Sequence, residues 1–113
     1  MLINYPLSIY RTLWLQVIFD LPVLTKNQRK TASKFRNYLL DFGFEMVQFS
    51  VYQKFCQNKE IANKYLKKIE AIVPAQGKIQ ILTFTDKQYS NIVTFYGREK
   101  PIVMTNPKQY SLF

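Results

Sequence analysis

The spacing of apolar and polar positions divides the chain into a short series of elements. Thr12 to Asp20 is rich in β-branched and aromatic residues and predicts a strand. Leu13, Leu15, Val17 and Phe19 fall on one face and Trp14 and Ile18 on the other, the pattern of a central strand covered on both sides. Thr25-Lys26-Asn27-Gln28 has the form of a capping box opening a helix. The helical period continues to about Phe42, with Ala32, Phe35, Tyr38, Leu39 and Phe42 on one face and Gly43 as the stop. Phe44 to Phe55 is β-prone but too long for one strand, which predicts two strands split near Phe49-Ser50. A second helix opens at Asn58-Lys59 and ends near Val73, before Pro74. Its apolar stripe is Ile61, Ala62, Tyr65, Leu66, Ile69, Ile72 and Val73. After a turn at Ala75-Gln76-Gly77-Lys78, the stretch Lys78 to Thr85 predicts a strand. Residues 86–96 predict a short helical turn and an irregular stretch, and residues 101–105 one more short strand.

The order β-α-β-β-α-β with an additional C-terminal strand predicts an α+β, ferredoxin-like, split βαβ fold. Residues 1–11 form an N-terminal extension, 12–105 the domain including the terminal strand, and 106–113 a C-terminal tail ending in Leu112 and Phe113. One layer of helices leaves the other sheet face bare, so Trp14 and Ile18 call for cover by a second copy and predict a homodimer. Leu112 and Phe113, apolar at an end that otherwise frays, predict contact with a partner.

Composition narrows the chemistry. Sixteen Lys and Arg against seven Asp and Glu give a formal charge of +9, which points to a polyanionic partner. No apolar run approaches the ~20 residues of a membrane span, and the N-terminus lacks the features of a secretory signal. One cysteine, Cys56, excludes an internal disulfide and suits a reducing, cytoplasmic setting. The absence of histidine excludes Ser-His-Asp and Cys-His catalysis and His-ligated zinc. There is no phosphate-cradling glycine loop. Any chemistry must use carboxylates, hydroxyls, Lys or Arg, or a bound hard cation. Asp20, on the lip of an apolar strand, is the first candidate; the alternative is that it satisfies backbone amides in the following turn.

Four strings in order resemble one family: VIFDLP at the end of the first strand, TKNQRKTASKFRNYLLDFGF in the first helix, MVQFSVY, and ILTFTDKQY. They are similar to the small CRISPR-associated adaptation proteins named as endoribonucleases, and the final PKQYSLF resembles members from type II loci. The resemblance runs from about Leu13 to the end of the chain. It implies a ferredoxin-like homodimer that sits between two dimers of the CRISPR integrase and holds the double-stranded DNA of a new spacer. It places a metal-binding, catalytic aspartate at Asp20, where two copies of the carboxylate would meet across the dimer axis around Mg²⁺ or Mn²⁺. It also places Ser50 and Tyr52 near that aspartate. The residue-level alternatives are a hydroxyl tying down a hairpin and an aromatic ring in the dimer core. Arg29, Lys30 and Lys34, on the polar arc of the first helix, are the nucleic-acid-binding candidates, by phosphate neutralisation without base reading. DNA is the first ligand and RNA the second. The runner-up function is an RNA-cleaving, toxin-like endoribonuclease that works without an integrase. Leu112 and Phe113 grip either the partner subunit or the integrase.

Overall fold

The computed structural model describes residues 12–99. The elements are β1 (Leu13–Asp20), α1 (Lys26–Asp41), β2 (Glu45–Gln48), β3 (Val51–Cys56), α2 (Lys59–Glu70), β4 (Lys78–Thr85) and the short α3 (Asp86–Ser90). One antiparallel sheet has the order β2-β3-β1-β4, so β1 is central and is flanked by β3 and β4. With two helices crossing one face, this is the ferredoxin-like arrangement. The expected terminal strand at 101–105, the extension 1–11 and the tail with Leu112 and Phe113 lie outside the described residues.

Local signals place most of the element ends. Thr25 accepts a hydrogen bond from the Gln28 amide while the Gln28 side chain accepts from the Thr25 amide, closing the capping box at the start of α1. At its end Gly43, at φ +90°, donates to Leu40 and Phe44 donates to Leu39, the two bonds of a Schellman stop. Leu39 and Phe44 are both buried, which supplies the apolar contact that usually accompanies that stop. The long β run does divide at Phe49-Ser50. Gln48 faces Val51 across a two-residue turn, and Ser50 takes φ +62°. Asn58 caps α2 by accepting from the Ile61 amide.

The core lies between the sheet and the helices. Leu15, Val17 and Phe19 of β1 meet Phe35 and Leu39 of α1, Ala62 and Ile69 of α2, and Phe44, Tyr52 and Cys56. Burying a Leu- or Phe-sized side chain contributes about 1.5–3 kcal/mol each relative to exposure, so this cluster is where the fold is held. Val73, expected on the α2 stripe, is half exposed, because α2 ends at Glu70 and Val73 belongs to the following turn.

The opposite sheet face differs from expectation at one end. Trp14 is covered by its own chain. The Tyr89 ring of α3 stacks on it at 4.0 Å with the planes 8° apart, and Phe55 meets it edge-on at 5.1 Å. The Asp86 carboxylate accepts from the Trp14 indole N–H at 2.8 Å and from the Thr12 hydroxyl. Tyr89 is tied down in turn by a 3.0 Å bond from the Gln53 amide. A five-residue helix is enough because Thr85 and Gln88 form a second capping box that fixes it at the end of β4. The rest of the face, with Ile18, Val51 and Leu82, carries no such cover from α3, and Leu82 is 37% exposed.

Candidate nuclease site at the lip of the central strand

Strand register, a local consequence of the β1 apolar pattern, puts Asp20 at the last pairing position of β1 opposite Lys78, the first residue of β4. Because Leu15, Val17 and Phe19 point into the core, period-two alternation points Asp20 to the face away from the helices. Its carboxylate is exposed and takes no hydrogen bond among the described residues. That disposes of the alternative in which Asp20 satisfies the amides of its own turn. Lys78 directly across the ladder supplies a neighbouring positive charge.

Two backbone features hold this lip in place. The Phe19 amide donates to the Ser50 carbonyl at 3.0 Å, so the β2–β3 turn is bonded to the residue before Asp20. On the other side, Gly77 takes φ +101° and lies so close that a Cβ there would sit 2.8 Å from the Asp20 carbonyl oxygen and 2.6 Å from Leu21 Cδ2. Only glycine fits both the conformation and the space. Gln28 and Gln76 join their side chains at 3.3 Å, which ties the start of α1 to the same turn.

The other candidates fall in different places. Ser50 is beside Asp20, as the resemblance implied, but its contribution is the carbonyl and the left-handed backbone of a tight turn. Tyr52 lies in the core of the protomer itself, stacked on Phe19 at 5.7 Å, and burial pushes its hydroxyl pKa up, partly offset by Arg36. It faces the helices, away from the Asp20 side of the sheet. Arg29, Lys30 and Lys34 are all exposed on α1. Arg29 differs from the two lysines in that one guanidinium nitrogen donates to the Val23 and Leu24 carbonyls, both at 3.1 Å, so it also braces the β1–α1 loop. Burial likewise pushes the Cys56 thiol up, with Lys54 opposing, which marks it as an inert core group.

A hard divalent cation needs six or more oxygen ligands, and Mg²⁺ commonly takes only one or two carboxylates with water completing the set. Among the described residues of one protomer no group of three or more acidic or thiol side chains converges. Asp20 thus offers one carboxylate per protomer, and a second copy would bring another. Residues that sequence reading missed are Asp86 and Tyr89, which cover Trp14; the Thr85-Asp86-Lys87-Gln88 capping pattern is the signal that marks them. The sequence marks Gly77 only as a turn residue.

Comparison with known proteins agrees with this picture. The family model described as CRISPR associated protein Cas2 matches residues 13–92. A protein of Paracidovorax avenae named CRISPR-associated endoribonuclease Cas2 is 47% identical over 104 residues, covering 92% of this chain and 96% of its own length. Another of that name from Flavobacterium psychrophilum is 47% identical over 103 residues, covering 91% and 89%. A third, from Parvibaculum lavamentivorans, is 40% identical over 101 residues, covering 89% of this chain and 100% of its own. The two-helix, four-strand sheet with an exposed carboxylate ending its central strand is thus that of a chain belonging to the CRISPR-associated Cas2 family, whose named relatives are endoribonucleases.

Proposed function

We propose that the protein is the adaptation subunit of a CRISPR system, a homodimer that bridges integrase dimers, holds duplex DNA and carries a divalent-cation site at Asp20. The observation that carries the reading is Asp20 itself, an exposed carboxylate unengaged in its own protomer and held on a rigid lip. Two copies meeting through the bare sheet face bring two such carboxylates together. A divalent cation such as Mg²⁺ or Mn²⁺ would be held by Asp20 of each copy and would supply charge neutralisation at a phosphodiester and an activated water. The chain's own part is to hold the carboxylate. The Ser50 carbonyl and the Gly77 turn fix the backbone on either side of it, and Lys78 stands where a phosphate oxygen can be met. Lys30, Lys34 and the free part of Arg29 neutralise phosphates along α1.

Dimerisation draws on the outward sheet face with Ile18, Val51 and Leu82, and on the exposed Ile92, Val93 and Phe95 that follow α3. The Trp14 end contributes less than the sequence suggested, since Tyr89 already covers it. The name shared by the relatives favours RNA as the second substrate.

The test is Asp20→Asn, assayed for Mg²⁺- or Mn²⁺-dependent cleavage of RNA and DNA and for co-purification with the neighbouring integrase. Cleavage should be lost while the integrase complex and duplex binding persist. Equal cleavage by both proteins sinks the Asp20 site. Failure of the wild type to bind the integrase, together with metal-dependent RNA cleavage, moves the assignment to a free-standing endoribonuclease.

A further inference from the structure

Three ammonium groups converge on one ring on the helix side of the fold. Lys54 Nζ lies 4.7 Å from the centroid of Tyr65, Lys68 Nζ 5.3 Å and Lys64 Nζ 5.8 Å. Lys68 is also 5.4 Å from the Phe42 ring, which sits 6.5 Å from Tyr65. The three charges therefore lie within about a Debye length (~10 Å at 0.1 M salt) of one another. Lys64 and Lys68 are one helical turn apart, a spacing at which like charges repel. Lys54 comes from β3 and reaches the cluster over Gly43, where a Cβ would sit 2.7 Å from its Nζ. The negative face of Tyr65 offsets part of the repulsion and holds the ammonium groups together. Glu60 and Glu70 are the acids of α2; Glu60, one turn before Lys64, offsets part of one charge and leaves the three-lysine cluster net positive.

We propose that the Lys54–Lys64–Lys68 cluster on Tyr65 is a phosphodiester-binding site for a nucleic-acid backbone, separate from both the Asp20 lip and the start of α1. Phosphate is the anion that fits. A duplex presents one charge per ~1.7 Å of axis, so a patch of this width meets several at once, and their approach relieves the repulsion that the unbound cluster carries. Arg29 is thirteen positions from Phe42 along α1 and its cap, about 20 Å at 1.5 Å per residue, and Lys34 eight, about 12 Å, so the cluster extends the α1 contact surface well beyond the start of that helix. The assignment rests on the nucleic-acid-binding reading above and adds a second contact surface to it.

The experiment measures binding of the full-length protein to a random-sequence duplex by fluorescence anisotropy across a salt series. Three variants are compared: Lys54→Gln with Lys64→Gln and Lys68→Gln; Lys59→Gln with Lys87→Gln and Arg98→Gln, which removes equal charge elsewhere; and Tyr65→Leu, which keeps every charge. The cluster variant should lose about tenfold or more in affinity near 0.1 M salt and flatten the log–log slope by roughly 2–3, at ~0.9 per phosphate. The control should lose less than about threefold, and Tyr65→Leu should fall between, because the charges scatter when the ring is gone. Equal losses in cluster and control variants overturn the proposal in favour of net charge alone. An unchanged duplex slope with loss of poly-L-glutamate binding overturns it in favour of an acidic protein partner. A wild-type slope near zero removes the nucleic-acid reading itself, an outcome distinct from failure of the cluster alone. The lysine variant, which leaves the Tyr65 ring in place, decides the matter even if Tyr65→Leu fails to fold.

Discussion

Replacing Gly77 by Ala perturbs the candidate site without touching any of its side chains. At φ +101° an L-residue is strained by about 1–3 kcal/mol. The new Cβ also meets the Asp20 carbonyl oxygen at 2.8 Å and Leu21 Cα at 3.2 Å. Leu21 Cδ2, at 2.6 Å, is the end of a flexible side chain and can swing away, but the two backbone atoms can yield only if the β1–α1 junction moves. Overpacking against backbone typically costs a further ~1–3 kcal/mol, so the total is about 2–6 kcal/mol. With a urea m-value of about 1–3 kcal/mol/M for a small domain, the midpoint should fall by at least about 0.7 M with the slope unchanged. Gly97 is the internal control: a Cβ there meets nothing within 4 Å. Gly97→Ala should be neutral within about 0.5 kcal/mol. Because the displaced atoms belong to Asp20 and Leu21, metal-dependent cleavage by Gly77→Ala should drop even at low temperature, where the variant is fully folded. The reasoning is refuted if Gly77→Ala unfolds at the same urea concentration as Gly97→Ala.

Leu39 is fully buried at 0% exposure between α1 and the sheet, so Leu39→Ala should cost about 2–5 kcal/mol by chemical denaturation. The Asp86 carboxylate is held below the usual carboxylate range by its hydrogen bonds from Thr12 and then Trp14. A depressed folded pKa means that this contact is at full strength above the ordinary value of ~3.9 and is lost as pH falls through the lowered one. Fluorescence of Trp14, the single tryptophan, should report that loss, and Asp86→Asn should abolish the pH dependence without unfolding the sheet. Tyr89→Ala should shift the Trp14 emission to the red at all pH values, since it removes the stacked ring that shields the indole. Replacing Arg29, Lys30 and Lys34 with Gln should flatten the salt dependence of duplex binding. Arg29→Gln alone should in addition lower stability, because its bonds to Val23 and Leu24 are lost.

Much of the architecture was legible in the residues because its causes are local. The Thr25–Gln28 box, the Gly43 stop and the apolar stripe of Ala32, Phe35 and Leu39 are settled by contacts three or four positions apart, and the β1 alternation by contacts two apart. The carboxylate at the end of β1 was legible for the same reason: it closes an apolar run ahead of a Leu-Pro turn. What depends on register and on the meeting of distant elements was not. Trp14 was read as half of a bare face, yet it is covered from seventy-five positions away by Tyr89, because β1 and β4 pair so that α3 begins above it. Tyr52 and Ser50 are two residues apart, but period two and a left-handed turn send one into the core and leave the other with its carbonyl at the lip. Lys54 joins Lys64 and Lys68 by reaching past Gly43 from a strand to a helix. The sequence by itself determines which segments are strands and helices and most of the core they bury. Only the tertiary structure decides which charges and rings meet, since those distances are set by strand pairing and helix packing between segments that carry no record of each other.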